Sequence, residues 1–287
     1  MRVLKGHGTE NDFVVVPDLD GALALTPQLV RALCERHAGI GADGVLRVVR
    51  CENDPEAKDM ALDAPFFMDY RNADGSIAQM CGNGIRVVMR YLQRANLVEL
   101  DAAVATRGGV KRVRTSGDGD VTVEMGQPLI PADRPVVTAA HHRPVTAGAS
   151  VLMPNPHVVV WIDDLDALAA LDLSEPPNVQ PPLPDGQNVE FAVRVRPRHL
   201  VMRVHERGVG ETRSCGTGIC AVVVAALSGD SASGATAMGD GQPWRVDVPG
   251  GTCHVTWRPD GEVLLTGPAV ILGEIELSDS WLDSVLS

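Results

Sequence analysis

The sequence predicts a mixed α/β or α+β fold with a duplicated architecture, on three observations. Hydrophobic residues make up 45% of the 287-residue chain and aromatics only 3%. Val, Ala, Leu and Ile must therefore form the core, as they do in parallel or mixed sheets covered by helices. Cys-Gly-X-Gly-Ile occurs twice, in NADGSIAQMCGNGIR from Asn72 to Arg86 and in ETRSCGTGICA from Glu211 to Ala221, each time ahead of an apolar run. The order of strand and helix patterns in the first half also recurs in the second.

The opening segments MRVLK and DFVVVP read as strands, with GHGTEN as the turn between them. In TPQLVRALCER, Thr26 is placed to cap a helix, Pro27 suits its first position, and Leu29, Val30 and Leu33 share a face. Cys34 falls on this helix as a small core residue. HAGIGADGVLRVV is a glycine-rich loop feeding a strand, Cys51 to Pro65 a polar surface loop, and FFMDYRN a strand leading to the first cysteine turn. After Cys81, the spacing of Ile85, Val88, Met89 and Leu92 predicts a one-sided helix with Arg86 and Arg90 turned elsewhere. VRTSGDGDVTVEM reads as a hairpin, and the prolines of GQPLIPADRP mark a crossing between domains. AAHHRPVT, with His141 and His142, reads as an exposed turn without a role. The second half gives strands, a helix near DALAALDL, further strands and the second cysteine turn. ICAVVVAAL follows, a helix apolar all round that must be buried on nearly every side.

A net charge of -12 without a basic run argues against a nucleic-acid surface, which needs clustered Lys and Arg. The N-terminus lacks the apolar core of a signal peptide, and no apolar run is long enough to cross a bilayer. The chain reads as a soluble cytoplasmic protein whose six cysteines are thiols rather than a disulfide scaffold.

A cysteine at the mouth of a helix sits where backbone N–H groups and the helix dipole favour negative charge. The glycines behind it let the backbone approach a ligand, and the same N–H groups can hold a carboxylate. Two such turns related by an approximate two-fold would place Cys81 and Cys215 on opposite sides of one cleft. One thiolate would then remove a proton from a carbon and the other thiol return one to the opposite face, so the two must start in opposite protonation states. Lys5, Lys58 and Lys111 are the only lysines, and none lies in a recognisable pyridoxal phosphate loop. The expectation is cofactor-free chemistry with stabilisation by N–H donors. A zinc site at Cys215 and Cys220 lacks a second close ligand pair. A cysteine hydrolase using Cys215 and His157 would leave the duplication unexplained, and a non-enzymatic anion-binding module would not need the sulfurs. Asn11, Asn155, His157, Asn188, Glu206 and Arg207 add an arginine suited to bidentate carboxylate binding and amides able to orient an amino acid.

Taken together, KGHGTENDF, NADGSIAQMCGNGIR, NPH, NVE and HERGVGETRSCGTG, in this order along nearly the whole chain, resemble the diaminopimelate epimerase family. The resemblance implies interconversion of LL- and meso-diaminopimelate without pyridoxal phosphate or metal, on the route to lysine and peptidoglycan. It implies two pseudo-symmetric domains, each a curled mixed sheet around a central helix, and a homodimer. The expected domains are residues 1–126 with Cys81, completed by 266–287, and residues 127–265 with Cys215. Carried over by motif, Cys81 and Cys215 are the acid/base thiols, and the N–H groups of Gly82, Asn83, Gly216 and Thr217 hold the reacting carboxylate. Asn11, Asn72, Asn155, Asn188 and Arg207 bind the substrate, and Glu206 and His157 support the reacting end.

The chain departs from the family pattern at three places. Gly44 stands where many relatives have Gln, so one substrate contact is absent or replaced. Pro154 replaces a usual glycine before Asn155, and Gly273 stands where some relatives place a dimer-forming tyrosine. Proline racemases and hydroxyproline epimerases share the paired cysteines. They typically have histidine after the first Cys-Gly, where this chain has Asn83, and their ring substrates offer no distal group for Arg207.

Overall fold

The computed structural model describes residues 1–139, 147–183, 186–229 and 239–286, so His141 and His142 lie outside the described residues. The chain forms two compact units, Met1–Val123 with Gly267–Ser287, and Glu124–Thr266. The six cysteines are thiols, with no disulfide among the described residues.

The first unit begins with β1 (Arg2–Gly8), β2 (Asn11–Pro17), α1 (Pro27–Cys34), β3 (Gly44–Arg50) and β4 (Phe66–Asn72). It continues through α2 (Gly82–Arg94), β5 (Asp101–Thr106), β6 (Gly109–Thr115) and β7 (Val121–Gly126). Thr26 accepts from the N–H of Leu29 and Pro27 opens α1, the start that the sequence predicts. The segment after β3 departs from a surface loop. Cys51, Ala57 and Ala64 are buried in a cluster with Val49, Phe67 and Ala105, and buried Asp54 pairs with Arg47 at 2.8 Å.

The second unit contains β8 (Val136–Thr138), β9 (Ala149–Leu152), β10 (Pro156–Trp161), α3 (Leu165–Ala169), β11 (Asn178–Gln180) and β12 (Asn188–Arg196). It adds β13 (His199–Glu206), β14 (Gly210–Thr212), α4 (Gly216–Ser228), β15 (Pro243–Val248), β16 (Gly251–Trp257) and β17 (Val263–Gly267). The predicted helix at DALAALDL is a single five-residue turn, α3, capped by Asp164. The chain then returns to the first unit with β18 (Val270–Glu276), which pairs with β1, and α5 (Asp279–Leu286).

Strand pairing carries the duplication. In the first unit β1/β2 are antiparallel, β2/β3 parallel, β3/β4 antiparallel, β4/β5 parallel, and β5/β6 and β6/β7 antiparallel. In the second the same series runs through β9/β10, β10/β12, β12/β13, β13/β15, β15/β16 and β16/β17. Parallel neighbours cannot be joined by a hairpin, so each parallel pair demands a crossover. In chain order α1 and α3 lie within the first crossover of each unit, and α2 and α4 within the second. The two cysteine turns thus sit at topologically equivalent places.

Each second-crossover helix is enclosed by its own unit. α4 packs on β9, β10, β12, β13 and β16, and every residue from Gly216 to Ala226 is buried, as its uninterrupted apolar sequence requires. α2 packs on β1, β2, β3, β4, β6 and β18. It is not one-sided: Val87 and Arg86 are as fully buried as Ile85 and Val88. Arg86 tolerates burial because its guanidinium reaches the carbonyl oxygens of Gly82 and Pro268 and the side-chain oxygens of Asn83 and Thr9.

Candidate active site

The first centre is assembled at the mouth of α2. Cys81 has extended backbone angles and caps the helix: its Sγ accepts from the N–H of Gly84 at 3.3 Å, and its carbonyl from the N–H of Ile85 at 3.0 Å. In any helix the first N–H groups have no intrahelical acceptor, and here they belong to Gly82 and Asn83. Asn11 reaches this mouth because a two-residue turn, Thr9–Glu10, joins β1 to β2 with both residues in the left-handed region, at φ 50° and 61°. Oδ1 of Asn11 accepts from Nδ2 of Asn83 at 3.2 Å and lies 3.7 Å from Sγ of Cys81.

Behind Asn11 stand charges that the sequence reading passed over. Nδ2 of Asn11 donates to Asp43 at 2.7 Å, and Arg36 bridges Asp43 and Asp12. Burial raises the Asp43 carboxyl above its ordinary range. At Asp12 burial acts in the same direction but is outweighed by hydrogen bonds from Arg36 and Lys5, which bring its carboxyl to about 2. Together these groups fix the amide of Asn11 with its oxygen toward the thiol. Asn72, by contrast, is turned onto Ser76, with Nδ2 3.0 Å from the hydroxyl. Gly44 pairs with Asn72 in the sheet, and a Cβ there would lie 2.5 Å from the carbonyl oxygen of Arg71, so the backbone leaves no room for a longer residue.

The second centre lies at the mouth of α4. Cys215 is again the extended residue before the helix, its carbonyl accepts from the N–H of Ile219 at 2.9 Å, and Gly216 and Thr217 form the first turn. Its surroundings differ in charge. Sγ lies 3.5 Å from the Thr217 hydroxyl, and burial, followed by the negative charges of Glu206 and Glu190, pushes the thiol well above its ordinary value. Burial likewise raises the carboxyl of Glu206, against hydrogen bonds from Thr212 and Cys215. The Cys215 thiol is thus hydrogen-bonded to Glu206 in surroundings that favour its protonated form.

The other predicted residues of this unit fall around that pair. Nε2 of His157 lies 3.0 Å from Oδ1 of Asn155, and Nδ1 lies 2.6 Å from Glu190, which the sequence reading quoted in NVE without giving it a role. Asn188 accepts from the backbone N–H of Arg207 at 2.9 Å, and the Arg207 side chain is exposed.

Known proteins resemble this chain along nearly its whole length. The family model described as diaminopimelate epimerase matches residues 3–130 and 149–272. The chain is 55% identical over 287 residues to a diaminopimelate epimerase of Streptomyces coelicolor, covering 99% of this chain and 98% of the relative. It is 46% identical to that of Thermobifida fusca, covering 97% and 99%. Among solved structures, a PhzF-family phenazine biosynthesis protein of Bacillus anthracis superposes with a TM-score of 0.67 at 16% identity, covering 97% of this chain and 99% of that one. A probable proline racemase of Agrobacterium radiobacter K84 gives 0.65 at 18%, covering 97% and 93%. Likeness at such low identity shows the fold alone.

Proposed function

Because this chain belongs to the diaminopimelate epimerase family, an isomerase family, we propose that it interconverts LL- and meso-diaminopimelate with Cys81 and Cys215 as the two acid/base groups. The observation that carries this reading is the pair of cysteines capping topologically equivalent crossover helices, each followed by a glycine-rich first turn. One sulfur, as thiolate, takes the α-proton; the other, as thiol, gives a proton to the opposite face, so the configuration inverts. Charge developing on the substrate carboxylate is met by the N–H groups of Gly82, Asn83, Gly216 and Thr217. The raised thiol of Cys215 suits that residue to give the proton in one direction, and Glu206, hydrogen-bonded to it, is placed to receive the proton in the other.

Asn11, Asn72, Asn155, Asn188 and Arg207 are proposed to bind the substrate, with His157 supporting the reacting end. The polar character of these groups suits a distal amino-acid group better than an apolar ring. The proposed setting is a cytoplasmic homodimer acting on a small molecule, without a nucleic-acid or membrane partner. In support, the net charge is -12, and among the described residues no helix is long and apolar enough to cross a membrane.

Incubation with LL-diaminopimelate in deuterated water, followed by chiral separation and mass analysis, tests substrate, inversion and proton exchange together. Meso product carrying one solvent deuterium is expected; unlabelled or unconverted substrate refutes the reading. Light scattering reads the oligomeric state.

A further inference from the structure

The reading above leaves Glu190 without a task, and its surroundings give it one. Glu190 lies on β12, and its neighbour β10 carries His157; both side chains are completely shielded from solvent. A carboxylate can only accept, so the 2.6 Å contact makes Nδ1 of His157 a donor; Oδ1 of Asn155, 3.0 Å from Nε2, is an acceptor as well, so the second ring nitrogen must donate too and the ring carries a proton on each. The other carboxylate oxygen, Oε2, is buried with no hydrogen-bond partner among the described residues. Such an oxygen lowers stability, and an apolar residue of similar volume would avoid that cost. The helix in front is built to admit it, since a Cβ at Gly218 would lie 2.5 Å from Oε1. The other ionisable groups facing this pair are Glu206 on β13 and Cys215 at the start of α4.

We propose that Glu190 is a positioning residue for the reaction at Cys215: as the acceptor for Nδ1–H it fixes the ring of His157, and through Nε2–H the ring holds Oδ1 of Asn155. The inference rests on the reading that Cys215 reacts and that Asn155 binds substrate. A ring free to rotate or to lose its Nε2 proton would release Asn155, and misplacement by about 1 Å costs on the order of 100-fold in rate.

Two variants separate this role from a structural one. Glu190→Gln keeps an acceptor for Nδ1–H, whereas Glu190→Leu fills the same space without one. The measurements are the 15N chemical shifts of His157, assigned with His157→Gln, the melting temperature, and kcat and KM with LL-diaminopimelate. The expected result is an Nδ1–H signature in wild type and Glu190→Gln that is lost in Glu190→Leu. Glu190→Leu should melt no lower than wild type while kcat/KM falls about 10- to 100-fold, and Glu190→Gln should recover most of that loss. The proposal is overturned if Glu190→Leu keeps the His157 signature, if its kcat/KM stays within about twofold of wild type, or if Glu190→Gln is equally impaired. Failure of the wild-type chain to epimerise diaminopimelate would instead sink the proposed function, and the nitrogen shifts would still report the Glu190–His157 bond.

Discussion

Nη2 of the fully buried Arg86 lies 2.6 Å from Oδ1 of Asn83 and 3.2 Å from Oγ1 of Thr9. One guanidinium thereby ties the mouth of α2 to the left-handed turn that delivers Asn11. Lysine would keep the charge but cannot span these acceptors together with the carbonyl oxygen of Pro268. Arg86→Lys is expected to lose about 3 kcal/mol in urea denaturation and to cut kcat/KM by about 100-fold. A variant of wild-type stability and activity would show that the tie is dispensable.

Gly218→Ala sets two effects against each other. Alanine favours the helix by about 1 kcal/mol, but its Cβ would press on a carboxylate anchored to His157. The clash should win, with a net loss of about 1–3 kcal/mol. In a Glu190→Ala background the space is open, and the same substitution should become neutral or stabilising. A double-mutant cycle measures the coupling, expected to exceed about 0.5 kcal/mol; strict additivity would contradict the contact.

Cys81→Ser and Cys215→Ser should each abolish epimerisation, because serine is far too weakly acidic to serve as the base. Circular dichroism and melting should remain close to wild type. Substantial turnover by either variant would remove the two-base mechanism.

The raised carboxyl of Glu206 makes a pH prediction with a definite sign. The folded state binds this proton more tightly than the unfolded chain, so the group's contribution to stability is complete below its ordinary value of 4.5 and is lost as pH rises through the raised folded value. Glu206→Gln should therefore melt a few degrees higher than wild type at pH 8 and equally at pH 4, while losing activity. Equal melting at both pH values would show that the carboxyl is not displaced.

Substrates lacking the distal amino-acid group should be poor in kcat as well as KM, because remote binding energy supports the chemical step. Steady-state kinetics with free alanine and proline checks this, and rapid racemisation of either would favour a proline-racemase-like activity.

The elements legible in the sequence were those whose signals are local. Thr26-Pro27 marked the start of α1, short apolar runs marked β1 to β4, and a residue string apolar all round marked α4. The one-sided reading of α2 failed because spacing reports which residues are apolar, not how many neighbours a helix has; strands enclose α2 on several sides and supply acceptors for Arg86. β5 was not read, since DAAVAT is small and weakly patterned and gains its place by pairing with β4 and β6. Around the two thiols, the motif residues could be named from their types, but their supports could not. Asp43 and Glu190 are distant in sequence from the side chains they orient, and only adjacent strands bring Glu190 beside His157.

The first unit is made from both ends of the chain, and β1 lies between β2 and β18, with Arg2 opposite Glu276 and His7 opposite Val270. During synthesis this gives folding an order. The second unit, Glu124–Thr266, is continuous and leaves the ribosome complete while the first still lacks its outermost strand. Until residues 270–276 emerge, the outer edge of β1 presents unpaired backbone groups to any strand it meets. A nascent chain therefore acquires the Cys215 half first, and the Cys81 half stays open until the last strand arrives. Translation that stops short of β18 would leave one half folded beside a sheet with an open edge, a species suited to capture by chaperones or proteases.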